Sequence, residues 1–188
     1  MSLAKSSVLV AYAGKDETTR RIAEVIGETL QAAKLRPRVR TVAEVADVEP
    51  YAAVILGSDV HMFGWSRSAV AFGRRHERAL KNRPVWMFSS DPVMHPISVA
   101  GLPGRRAARL GSRLRARGHA LFTGEFEPGP HGGGQWRLPG DASGSRQDFA
   151  QVREWTVRIA RELGAGGSAS AGPVPDPSRD PLSTPGTG

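Results

Sequence analysis

The 188 residues carry 26 Lys plus Arg against 18 Asp plus Glu, a formal charge of +8, and no cysteine. That length supports one domain with a substantial core rather than two, at about 100–200 residues per domain. The lack of cysteine excludes disulfides, thiol nucleophiles and cysteine-held zinc or iron–sulfur centres, and it fits a reducing cytoplasm.

The first apolar run starts at Val8 and ends at Ala13, too short for a signal-peptide core, and no apolar stretch approaches the roughly 20 residues of a membrane span. No export or transmembrane segment is expected, and the chain reads as cytoplasmic. A strand over Ser7–Tyr12 leads through Ala13–Thr19 into an amphipathic helix, Thr19 to Lys34, whose Ile22, Ile26 and Leu30 recur at helical spacing. Pro37 prevents continuation. Strands follow at Arg38–Val42 and Ala52–Ser58, then a helix over Arg67–Lys81, a strand over Pro84–Ser90, a helix over Gly104–Arg117 and a strand over Ala120–Gly124. Gly129–Gly144, which includes Trp136, reads as irregular glycine-rich slack. A last helix spans Phe149–Leu163. Residues 1–164 are thus expected to form the domain, and 165–188, rich in Gly, Ser and Pro, a disordered tail.

Strands alternating with helices predict an α/β domain with a parallel sheet covered on both faces. Ligands of such sheets bind beyond the carboxyl ends of the strands. That rule selects Ala13–Thr19, Asp59–Trp65 and Asp91–Pro96. In the first, a strand runs through a turn into a helix start, where unpaired N–H groups and the helix dipole attract an anion such as phosphate. The same turn carries Asp16 and Glu17. A carboxylate about 5 Å from a phosphate dianion repels it by roughly 2 kcal/mol even with water-like screening. Either acid could instead cap the helix and fill the anion site with the protein's own side chain.

The stretches VLVAYAGKDETTRRIAEVI, YAAVILGSDVHMFGW, RPVWMFSSDPV, HALFTGEF and DFAQVREWTVRIARE together resemble the flavodoxin-like family. Within it they are similar to small bacterial flavodoxin-domain proteins related to menaquinone-dependent protoporphyrinogen oxidase. The resemblance implies a doubly wound five-stranded parallel sheet in the order 2-1-3-4-5 and non-covalent FMN bound by the three loops. It assigns Gly14, Lys15, Thr18 and Thr19 to the phosphate. Val60, His61, Met62, Phe63 and Gly64 would flank one side of the flavin ring, and Ser89, Ser90, Asp91 and Pro92 the other. It implies an FMN-dependent oxidoreductase or electron carrier, with a porphyrinogen, a quinone or another small molecule as redox partner. Each loop departs from the family pattern by gaining an acid: Asp16 with Glu17, Asp59, and Asp91. The alternative is therefore a degenerate relative that has lost FMN and works as a non-enzymatic binding or regulatory module.

No spacing among the five histidines suits a metal, and no catalytic residue is assigned. His61 and His95 fall in the predicted ligand loops, where a histidine could hydrogen-bond a flavin or quinone. Arg105, Arg109, Arg113 and Arg117 recur every four residues and predict a basic stripe able to make weak contact with an acidic membrane surface. A solvated face is the plainer reading. Nucleic acid is not expected, because no aromatic residues interleave with these arginines to stack bases.

Overall fold

The computed structural model describes residues 7–14, 17–61, 64–91, 104–123, 125–128, 134–137 and 149–168. In chain order the elements are β1 Ser7–Ala13, α1 Glu17–Ala32, β2 Arg36–Thr41, β3 Ala53–His61 and β4 Gly64–Trp65. Then come α2 Arg67–Arg75, α3 Glu77–Leu80, β5 Val85–Asp91, α4 Gly104–Leu114, β6 Gly118–Thr123, the hairpin β7 Glu125–Pro128 with β8 Gly134–Arg137, and α5 Ala150–Ser168.

The main sheet runs β2-β1-β3-β5-β6, every neighbour parallel. With the short antiparallel β4 set aside, this is the expected 2-1-3-4-5 order. Buried on both faces, the central strands are apolar almost throughout: Val8 to Ala11, Val54 to Leu56 and Val85 to Phe88 have at most 2% of their surface exposed. Side chains alternate between two cores. Leu9, Leu56 and Met87 join Phe72 and Leu110 on one face, while Val8, Val10, Ile55 and Phe88 join Ile22, Ile26 and Ile159 on the other. Pro37 is tolerated because β2 is an edge strand with β1 as its only neighbour.

Several boundaries differ from the sequence reading, each for a tertiary reason. The expected loop Asp59–Trp65 is largely a continuation of β3 that folds back as β4, held where Ser66 N–H donates to Ser58 Oγ at 3.1 Å. The expected helix 67–81 breaks at His76, which lets α3 insert Leu80, fully buried, into the core. The helix expected to reach Arg117 ends at Leu114, since Arg115 takes a left-handed φ of 55° and Ala116 N–H caps Gly111 O at 2.9 Å. Arg117 therefore leaves the predicted stripe. Its guanidinium lies 5.5 Å from the centroid of the Trp86 ring, on the opposite face of the sheet, and 3.9 Å from Glu162.

The expected slack at Gly129–Gly144 contains β8, which pairs Trp136 with Phe126 of β7. Its glycines erase the apolar alternation by which strands are found. Finally, α5 extends to Ser168 and takes in the first residues of the expected tail. Val152, Thr156 and Ile159 bury one face of this helix, and from that packed segment further turns add one hydrogen bond per residue. Residues 169–188 lie outside the described residues.

Candidate functional site

Burying a polar group is unfavourable unless it is hydrogen-bonded, so the distribution of such groups is informative. Among the described residues, every buried polar or charged side chain except Thr156 lies at the carboxyl end of the sheet: Thr18, Thr19, Ser58, Asp59, Ser89, Ser90 and Asp91. They come from the first turn of α1 and from the last residues of β3 and β5. This is the end of the sheet that the parallel-sheet rule selects.

Gly14 closes β1 and faces this cluster closely. A Cβ at that position would lie 3.0 Å from Thr19 Oγ1, 3.2 Å from Thr19 Cβ and 3.3 Å from Asp59 Cγ. No side chain fits there without displacing its neighbours. Thr19, fully buried, meets Ser90 hydroxyl to hydroxyl at 2.6 Å and ties α1 to β5. The Thr19 hydroxyl is thus tied to Ser90, while the backbone N–H groups of the first turn of α1 have no partner within the helix.

Glu17 does not plug the turn. Its side chain is more than half exposed and binds the Arg20 guanidinium, with Nε 3.2 Å from Oε2, so the carboxylate faces solvent along the outer side of α1. Lys15 and Asp16 lie outside the described residues.

A second network ties β4, β5 and β6 together. The Trp65 indole, 1% exposed, donates through Nε1 to Ser89 Oγ at 2.7 Å, and Ser89 Oγ lies 2.8 Å from His119 Nε2. His119 packs edge-on against Trp65 with ring centroids 5.5 Å apart. Burial pushes the His119 imidazole down to about 4, so it is neutral at physiological pH and able to accept the Ser89 proton. Ser58 bridges β3 to Ser66, whose hydroxyl accepts from Ala69 N–H at 3.3 Å and caps α2.

Of the residues assigned to the ring, Val60 is 3% exposed and packs its side chain in the core. Gly64 sits in β4 opposite His61 with φ of 98°, a conformation that favours glycine. His61 is placed only as part of β3. Met62, Phe63, Pro92 and His95 lie outside the described residues. Sequence reasoning missed His119 and the inward commitment of Ser89 and Ser90. Nothing in a strand-opening Gly118-His119-Ala120 signals that its histidine reaches a serine of the next strand.

Residues 9–126 match the family described as flavodoxin domain. Among solved structures, the chain is similar to the rubredoxin:oxygen oxidoreductase of Desulfovibrio gigas at 15% identity and a TM-score of 0.60, covering 87% of this chain but only 37% of that one. It is also similar to a mutant flavodoxin from Pseudomonas aeruginosa, at 13% identity and a TM-score of 0.60, covering 84% of this chain and 99% of that one. The two-electron reduced flavodoxin of Megasphaera elsdenii shows 17% identity and a TM-score of 0.57, covering 82% and 98%. At such identities the likeness establishes the fold. No curated protein sequence matches this chain.

Proposed function

Because the chain belongs to the flavodoxin domain family, we propose that it holds FMN non-covalently at the carboxyl end of its sheet and serves as an electron carrier or flavin-dependent oxidoreductase. The observation that carries this reading is the concentration of buried polar side chains at that end of the sheet, next to a glycine whose missing Cβ leaves a close backbone approach. The phosphate would be held by N–H groups of Gly14, Lys15, Thr18 and Thr19. The ring would lie between 60–64 and 89–92, with Val60, Ser89 and Ser90 contributing backbone, since their side chains are engaged inside the protein.

When bound, FMN supplies one- and two-electron transfer, and the protein supplies orientation, exclusion of water and nearby charge. Arg20 keeps Glu17 directed outward, away from the anion end of α1. The Thr19–Ser90 contact holds the first turn of α1 against β5, and the Trp65–Ser89–His119 chain fixes β4, β5 and β6 relative to one another. Such rigidity limits reorganisation around a planar ring. A quinone or a porphyrinogen in the cytoplasm suits this reading as the small-molecule redox partner. No described helix is long and apolar enough to cross a membrane.

One observation favours the competing reading of a scaffold that works without flavin. Thr19, Ser89 and Ser90 all have their hydroxyls engaged by protein groups, and Asp59 Cγ stands 3.3 Å from the Gly14 Cβ position. Adding FMN to purified protein separates the two. Stoichiometric quenching of flavin fluorescence with a shifted visible spectrum supports the flavoprotein, and unchanged free-flavin emission supports the module.

A further inference from the structure

Away from the sheet end, α2 and α4 pack side by side and leave a groove along their outer surface. Two adjoining cavities of about 350 and 490 Å³ share Val70, Arg74 and Arg106, and so form one continuous depression. The helices approach closely because α2 has Gly73 at the crossing, where a Cβ would lie 2.8 Å from Leu110 Cδ2 of α4. Arg67 and Arg74 border the groove from α2, and Arg106, Arg109 and Arg113 border it from α4. Within each helix these positions are three, four or seven apart and share a face. Val70, Ala71 and the buried Leu110 supply the apolar floor.

The charge on this groove is not neutralised within the described protein. Glu77 is engaged by Arg113, at 2.6 and 3.0 Å, and by Lys81 at 2.6 Å. Arg67, Arg74, Arg106 and Arg109 have no carboxylate partner among the described residues. Among the described residues, four arginines without a carboxylate partner thus line one depression with an apolar floor.

We propose that the groove between α2 and α4 is a docking site for an acidic, amphipathic segment of a partner protein. Its carboxylates would pair with Arg67, Arg74, Arg106 and Arg109, and a small apolar side chain would cover Val70 and Leu110. Guanidinium forks match carboxylates in bidentate geometry, and an apolar floor between charged borders suits a helix or strand laid into a groove. A lipid surface fits less well. The charges border a concavity instead of capping a convex face, and the one exposed large apolar residue described, Val157, lies on α5, which packs on the other side of the sheet. Both helices begin beside the β3–β4 hairpin, with Gly104 Cα 4.0 Å from the Gly64 Cβ position, so an occupant of the groove would lie next to the candidate site. The proposal does not depend on flavin being bound.

The test uses the full chain and a fluorescent peptide of about 12 residues, roughly three helical turns, with glutamates flanking two leucines one turn apart. Anisotropy should report binding that weakens with salt. Affinity should drop about tenfold or more in an Arg74→Ser, Arg106→Ser double variant, and should be unchanged in Arg161→Ser on α5. A matched peptide with serines for the leucines should bind more weakly. No binding, equal binding of the serine peptide, or equal affinity of the double variant would overturn the proposal. So would phosphatidylglycerol vesicles binding through Arg74 and Arg106 where the peptide does not.

Discussion

Thr19 and Ser90 meet at 2.6 Å between their hydroxyl oxygens, both buried, across 71 positions of sequence. This contact joins the first turn of α1 to the end of β5 and so sets the distance between these two parts of the candidate site. Thr19→Val leaves the Ser90 hydroxyl buried with a lost partner and should destabilise the protein by about 1–3 kcal/mol, as should Ser90→Ala. The double variant should cost less than the sum of the two, because neither orphan then remains. Urea denaturation of the four proteins completes the cycle.

Sequence reasoning singles out Glu17 as an obstacle to an anion, and the structure gives the opposite prediction. With its carboxylate turned to Arg20 and more than half exposed, Glu17→Gln should change FMN affinity by less than about threefold, the scale of a screened surface charge. Gly14→Val should abolish uptake, since even a Cβ would meet Thr19 and Asp59 within 3.3 Å. Fluorescence titration of the two variants separates these outcomes.

Gly57 is a structural requirement of a different kind. The Phe88 ring of the neighbouring strand lies across it, so that a Cβ would stand 2.0 Å from Phe88 Cζ. Gly57→Ala should therefore destabilise by about 3 kcal/mol, at the upper end for overpacking, and lower Tm by roughly 6–12 °C for a domain of this size. A Gly57→Ala, Phe88→Leu double variant should recover part of the loss, which calorimetry would detect.

His119 gives the fold a pH dependence. Burial holds its imidazole down at about 4, against an ordinary value of 6.5. Between those limits the unfolded chain binds a proton that the native state does not, so stability falls as pH is lowered through that window, by up to about 3 kcal/mol for this group. Above pH 6.5 the group contributes no slope. His119→Gln should flatten the loss of Tm between pH 6.5 and 4; an unchanged slope would assign it to other groups.

The sheet was legible because its determinants are local: aliphatic β1, β3 and β5, and an α1 with Ile22, Ile26 and Leu30 on one face. The strand pattern alone also pointed to the carboxyl end of the sheet, where the buried polar side chains gather, but it read Asp59–Trp65 as a loop where β3 continues and folds back as β4. What remained hidden depends on contacts between distant residues. The pairing of β4 with β3 rests on a buried Trp65 that donates to Ser89, 24 residues away. The end of α4 at Leu114 rests on a left-handed Arg115, a conformation that sequence gives no reason to expect of arginine. The basic stripe looked continuous because four-residue spacing was carried through a helix end, whereas the arginines that gather in space, Arg67, Arg74 and Arg106, come from two helices.

The central claim is that the carboxyl end of the sheet holds FMN with its phosphate at the amino end of α1. Isothermal titration of the flavin-free full chain with FMN, and separately with riboflavin, tests it most directly. The account predicts one site per chain, FMN favoured over riboflavin by at least about tenfold through the phosphate, and no heat in Gly14→Val. Equal affinity for both, or no binding of either by the native chain, would contradict it.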